Sequence, residues 1–189
     1  MKQGATKDRK TDNSYFKDKV HLRKLGLLSL EKDSLSVLDA YSGDAVIWRK
    51  VATDLPDLTI NLTRIETKKD AKGVYLRGDN IKFLKNMVVS DYDCIDLDAY
   101  GIPYRQLQIL FDKQYKGIVF ITFIQSTHGR LNKGMLEELG YPAKMVDKIP
   151  TLFCTNGLHK FTQYLALHGV TRIQRISHQN KHYITAQLS

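Results

Sequence analysis

Beyond residue 34 the chain alternates short apolar, β-branched runs with segments whose apolar residues recur at helical spacing. That alternation is the pattern of crossover units around a parallel sheet. Seven strands are predicted, at Ser36–Leu38, Leu58–Ile65, Val74–Leu76, Tyr92–Leu97, Gly117–Ile124, Val170–Ser177 and Tyr183–Leu188. Helices are predicted at Ala45–Ala52, Ile81–Met87, Tyr104–Phe111, Asn132–Leu139 and Gly157–His168. Another helix is expected from Tyr15 onward, where Phe16, Val20, Leu22, Leu25, Leu27 and Leu28 roughly suit an amphipathic stripe lying across the start of the domain. His178-Gln179-Asn180-Lys181-His182 joins the last two strands and is short enough for a hairpin.

The expected fold is therefore α/β: a Rossmann-like, seven-stranded, mostly parallel sheet with a C-terminal antiparallel hairpin and helices on both faces. Residues 1–13 are polar and rich in turn formers, which predicts a disordered basic arm, with 14–189 as a single domain. A chain of 189 residues suits one core of ordinary size. Its longest apolar run, Ile118–Ile124, is far short of the roughly 20 residues that span a bilayer. No secretory pattern precedes it, so no membrane partner is expected. Cys94 and Cys154 lie in apolar surroundings, which predicts reduced, packed thiols and a cytoplasmic compartment.

Charge adds a further element. Lys and Arg number 29 against 20 Asp and Glu, a net charge of +9, and the excess is concentrated at both ends. The first 24 residues include Lys17, Lys19, Arg23 and Lys24, and no acidic residue follows Asp147. If the ends meet, they make a positive surface for a polyanion such as RNA or DNA; a solvated basic face is the alternative.

The candidate chemistry sits at strand ends, where open α/β sheets bind ligands. The first strand leads through Asp39-Ala40-Tyr41-Ser42-Gly43-Asp44, in which Gly43 either lets backbone approach a ligand or only makes a tight turn. Glu66 closes the second strand and can accept from both ribose hydroxyls, or can pair with Lys68 or Lys69. After the third strand, Asp79, with Asn80 beside it, can accept from an adenine amine or cap the following helix. The sharpest signal is Asp96-Leu97-Asp98-Ala99-Tyr100-Gly101-Ile102-Pro103. Two carboxylates separated by one residue share a face of an extended chain, and like charges held together there mark a functional site or an Asp-rich helix cap. Tyr100, in a Gly and Pro turn, is placed to stack on a planar base. No zinc-ligand spacing occurs and no metal is expected; glycine-rich dinucleotide and phosphate-loop motifs are absent. His128 is read as a loop histidine outside the site.

Val37-Leu38-Asp39-Ala40-Tyr41-Ser42-Gly43, followed by Ala45-Val46-Ile47-Trp48-Arg49, resembles the first motif of the tRNA guanine N2-dimethyltransferases, within the class I S-adenosylmethionine-dependent methyltransferases. Asp96-Leu97-Asp98-Ala99-Tyr100-Gly101-Ile102-Pro103 resembles that family's Asp-x-Asp-Pro-Phe-Gly-Ser-Pro. The resemblance implies S-adenosylmethionine as cofactor, with Asp39, Tyr41 and Gly43 at its methionine end, Glu66 on the ribose, and Asp79 with Asn80 at the adenine. It implies a catalytic group of Asp96, Asp98 and Tyr100, with Asp98 accepting from an exocyclic amine and Tyr100 stacking the base. The expected activity is methylation of a nucleic-acid amine, RNA favoured over DNA; the alternatives are a catalytically silent binding module of the same fold, or a protein or small-molecule acceptor. Three departures stand out: Ala99 replaces Pro, Asp44 brings a carboxylate near the cofactor's own, and Glu66 to Asp79 is too short for a second crossover helix.

Overall fold

The computed structural model describes residues 14–126 and 129–189; the expected arm at 1–13 and His128 lie outside the described residues. Helix α1 (Phe16–Leu28) precedes β1 (Ser34–Asp39), α2 (Val46–Asp54), β2 (Thr59–Glu66), β3 (Leu76–Arg77), α3 (Asn80–Asn86), β4 (Cys94–Leu97), α4 (Tyr104–Asp112) and β5 (Gly117–Ile124). Then follow α5 (Lys133–Glu138), α6 (Ala143–Lys148), α7 (Gly157–Leu167), β6 (Val170–His178) and β7 (Lys181–Leu188). The seven strands form one sheet in the order β3-β2-β1-β4-β5-β7-β6. The first five run parallel, and β7 is antiparallel to both β5 and β6. This is the Rossmann-like mixed sheet the pattern predicts, with the hairpin at one edge.

Side-chain alternation along the strands sends apolar residues to both faces, as a sheet covered on two sides requires. Leu35 and Val37 of β1, Cys94 of β4 and Ile118 and Phe120 of β5 pack with Val20, Leu27, Trp48 and Val51 of α1 and α2. Leu38, Ile95, Leu97, Val119 and Ile121 face the other way, toward Leu107 and Leu110 of α4 and Phe161 and Leu165 of α7. Helix α1 lies tight on the sheet because of Gly26, where a Cβ would stand 2.7 Å from the buried Phe120 ring.

Local differences from the expected elements have local causes. β3 is only two residues long and excludes Val74, which is 92% exposed; nothing packs on it to hold it in the sheet. Ala45 is left-handed at φ +54, so α2 starts one residue later than expected. The unpredicted α6 spans six residues between Pro142 and Pro150, too few to show a helical period. No helix among the described residues is long and apolar enough to cross a membrane.

Candidate functional site

All five parallel strands end at one rim of the sheet, and a cavity of about 580 Å³ opens there. Asp39, Tyr41, Gly43, Glu66, Asp79, Asn80, Asp96, Asp98 and Tyr100 all line it. The structure thus brings every residue singled out from the sequence to a single pocket, and it shows what each side chain touches.

Gly43 has φ +47, and a Cβ built on it would meet nothing within 4 Å, so the loop after β1 leaves open space beside its backbone. Its amide donates to Glu66 Oε2 at 2.8 Å, tying the ends of β1 and β2 together. Glu66 Oε1 accepts from the amides of Thr67 and Lys68 and from the Thr67 hydroxyl. Burial pushes this carboxyl up, but the Lys68, Gly43 and Thr67 donors outweigh it and hold Glu66 below its ordinary range. No Lys68 or Lys69 side chain pairs with it among the described residues. Oε2 carries one donor and has a lone pair to spare.

Asp79 caps α3, its Oδ1 accepting from Ile81 and Lys82 amides at 2.7 and 3.4 Å. Asn80 Nδ2 donates to the Ala40 carbonyl, and its Oδ1 accepts from Gln106 Nε2, which also donates to the Tyr41 hydroxyl at 2.6 Å. Gln106, a buried polar residue of α4, therefore fixes two cavity residues at once. Set between Arg105 and Leu107, with a second glutamine at 108, it gives no sequence signal.

Asp44 lines the same cavity, next to Gly43. It is exposed, and its Oδ1 accepts from the Lys72 amide at 3.0 Å. Arg64 closes the same clasp, donating to the carbonyls of Gly43 and Lys72. Both residues bind the short connection between β2 and β3 to the loop after β1, where a longer chain would place a helix.

Asp39, Asp96 and Asp98 point to the same face, toward α1 and α2. Asp39 is in register with Asp96 on the neighbouring strand. The Arg23 guanidinium grips Asp96 through Nε at 2.7 Å and Nη2 at 2.8 Å, and Trp48 Nε1 donates to the same carboxylate at 2.8 Å. Lys19 Nζ donates to both oxygens of Asp98, at 3.0 and 2.8 Å, and Thr122 donates its hydroxyl to Oδ1. Burial lifts Asp96 above the ordinary carboxylate range and Asp39 well above it, the latter further because the Asp96 charge faces it. Burial also acts on Asp98, but Arg23, Lys19 and the donors around it hold that group low.

By charge alone Lys19 and Arg23 belong to a basic surface. They are instead buried, at 5% and 3% exposure, and turned into the site. They stand at i, i+4 spacing on one helix face, beside buried Val20 and Leu27. Tyr100, by contrast, stands 82% exposed at the cavity rim. Among the described residues no group of three or more His, Cys, Asp or Glu is placed to hold a metal ion.

The pocket suits S-adenosylmethionine in three respects. Its volume lies within the roughly 300–1,000 Å³ of small-molecule sites, Gly43 leaves room for close backbone approach, and Glu66 retains an acceptor at the end of β2. The Ser42 hydroxyl in the same loop is buried without a partner among the described residues.

The fold is that of S-adenosylmethionine-dependent methyltransferases. The chain is similar to a precorrin-6y C5,15-methyltransferase from Geobacter metallireducens GS-15, at 15% identity over 97% of this chain and 93% of that one, with a TM-score of 0.55. It is similar to a SAM-dependent methyltransferase from Archaeoglobus fulgidus at 14% identity, covering 93% and 97%, with a TM-score of 0.51. The plantazolicin methyltransferase BpumL, solved in complex with SAH, aligns at 13% identity over 92% and 85% with a TM-score of 0.52. No protein-family model and no curated protein matches the chain.

Proposed function

We propose that this protein is an S-adenosylmethionine-dependent methyltransferase acting on an amine of a nucleic acid, RNA favoured over DNA. The observation that carries the reading is the joint placement, in a fold of this kind, of an open glycine loop and an acidic β2 terminus bonded to each other at 2.8 Å. In this reading Asp39, Tyr41 and Gly43 surround the methionine end, Glu66 receives a ribose hydroxyl, and Asp79 and Asn80 border the adenine. The cofactor supplies an electrophilic methyl group. The chain's own contribution is alignment and exclusion of water, which suits a transfer limited by geometry.

Asp98 orients the acceptor amine through Oδ2, whose hydrogen-bond donor among the described residues is Lys19, and Tyr100 covers the base. Asp96 acts behind it, holding Arg23 and Trp48. The two motifs resembling the tRNA guanine N2-dimethyltransferases support an exocyclic nitrogen as acceptor, and the net charge of +9 supports a polyanion. That neither Cys94 nor Cys154 is disulfide-bonded supports a reducing, cytoplasmic compartment.

A second reading, a catalytically silent binding module, is favoured by one observation: Lys19 and Thr122 already occupy three of the acceptor sites on Asp98. Calorimetric titration with S-adenosylhomocysteine tests the pocket, with micromolar binding expected and a loss of at least about tenfold in Glu66→Ala, equivalent to about 1.4 kcal/mol. Turnover with cellular RNA tests the chemistry. Asp98→Asn, which keeps the side chain's shape, is expected to lower methyl transfer on the order of 100-fold with little change in cofactor affinity. Binding without turnover in the wild type favours the silent module.

A further inference from the structure

The hairpin that closes the sheet ends at the cavity. β7 runs antiparallel to β5 with Ile124 opposite Lys181, so the turn between β6 and β7 lies at the rim where the parallel strands end. Tyr183 of β7 lines the cavity, and a second cavity of about 550 Å³ adjoins the turn, lined by Gln125, Asn156, Asn180 and His182 among others.

From that rim β6 runs away as the outermost strand of the sheet, hydrogen-bonded to β7. Thr171, Arg172, Ile173, Gln174 and Arg175 are exposed in succession, so this stretch of the edge strand is open to solvent. Strand alternation sends Arg172 to one face and Arg175 to the other. Among the described residues neither forms an ion pair. The whole stretch after Asp147 lacks an acidic residue, so β6 itself carries no carboxylate, and the one that pairs with it among the described residues is Asp18 of α1, 2.7 Å from His178 at the strand's end. The positive field of the edge reaches the turn: burial, Arg175 and His178 together hold the His182 imidazole below its ordinary range. At Ser14, fixed by Lys181 and the Tyr183 hydroxyl, the chain connects to thirteen residues carrying Lys2, Lys7, Arg9 and Lys10 against Asp8 and Asp12.

We propose that the exposed edge of β6, with Arg172 and Arg175 straddling it, is the docking track for a single-stranded nucleic acid whose target base enters the cavity beneath Tyr100. The track rests on the nucleic-acid reading given above. Cations on both faces of an edge suit a phosphodiester backbone that crosses it, while the unpaired backbone amides, Thr171, Gln174 and Ser177 supply neutral hydrogen-bonding groups. Tyr100 provides the aromatic plane that single-strand binders combine with such grooves. An acidic peptide adding a strand to the edge is the competing occupant, and it makes no use of an exposed aromatic at the cavity mouth. Arginines that merely keep two sheets from pairing edge to edge are the remaining explanation.

Fluorescence anisotropy with a labelled single-stranded RNA and the DNA of the same sequence, between about 50 and 200 mM salt, tests the track. Wild type is expected to bind RNA with a steep salt dependence. Arg172→Gln with Arg175→Gln is expected to weaken binding about tenfold or more and to lower the salt slope by about 1.4, because each arginine neutralises one phosphate of a single strand. S-adenosylhomocysteine affinity and the melting temperature of that variant stay at wild-type values, because neither arginine touches the core or the pocket. Unchanged RNA binding in the double variant overturns the track, and so does displacement of the RNA by poly-glutamate at equal charge. Tighter binding of the DNA keeps the track and reassigns the strand. Failure of the wild type to bind S-adenosylhomocysteine is a failure of the methyltransferase reading, read in a separate titration.

Discussion

Asp39 accepts from the Tyr41 amide at 3.1 Å and looks across the strand at a carboxylate that Arg23 already neutralises. Two buried cations face three carboxyls, so the cluster is electrically balanced when Asp39 keeps its proton. The folded state binds that proton more tightly than the unfolded chain does. The Asp39 contribution to stability is then fully present below the ordinary carboxylate pKa of about 4 and is lost as pH rises from there toward the raised folded value. Asp39→Asn removes the ionisation and still offers Oδ1 to Tyr41. Its melting temperature is expected to exceed that of wild type at pH 8, with the gap closing near pH 4; a gap independent of pH would mean that Asp39 ionises normally. Asp98 behaves oppositely, since its depressed pKa contributes stability above the carboxylate range that is lost on acidification.

Helix α1 contributes the compensating charges to this cluster. Removing Arg23 strands Asp96 in the core, and Arg23→Met is expected to cost roughly 3–5 kcal/mol in urea unfolding. Adding Asp96→Asn, which still accepts from Trp48 Nε1, is expected to restore most of that stability; no recovery would assign the loss to packing. The β1, β2 and β4 termini are legible in the sequence because acidic residues and a lone glycine stand where strands end. α1 is legible only as an amphipathic segment. Its Lys19 and Arg23 carry no marker that separates a solvated cation from a buried one, since that difference depends on carboxylates 79 and 73 residues away. Gln106 is illegible for the same reason, as its partners Tyr41 and Asn80 come from other crossover units. β3 starts two residues later than its pattern suggests because Val74 has strand propensity but nothing to pack on.

At the scale of the molecule the mostly parallel sheet with its closing hairpin follows from the alternation, while the order β3-β2-β1-β4-β5-β7-β6 is one of the few arrangements that short connections and right-handed crossovers leave open. The end-to-end contacts do not follow from it. Ser14 accepts from Tyr183 and Lys181, Tyr15 stacks on His178 at 3.7 Å, and Thr185 donates to the Leu22 carbonyl. Helix α1 therefore rests on the hairpin, and a chain truncated after Gly169 is expected to lose its cooperative melt by circular dichroism. A sharp transition retained in that truncation would show that β5 alone seats the helix.

The seating of α1 on β7 also sets an order of events. Lys19 and Arg23 leave the ribosome long before Tyr183 and Thr185, so the part of the floor under the pocket's helix that β7 supplies is the last to arrive. Contacts this distant in sequence close late and slow folding. A ligand-competent cavity is in this sense a property of the chain through β7, reached only when its earliest helix and its last strand have found each other.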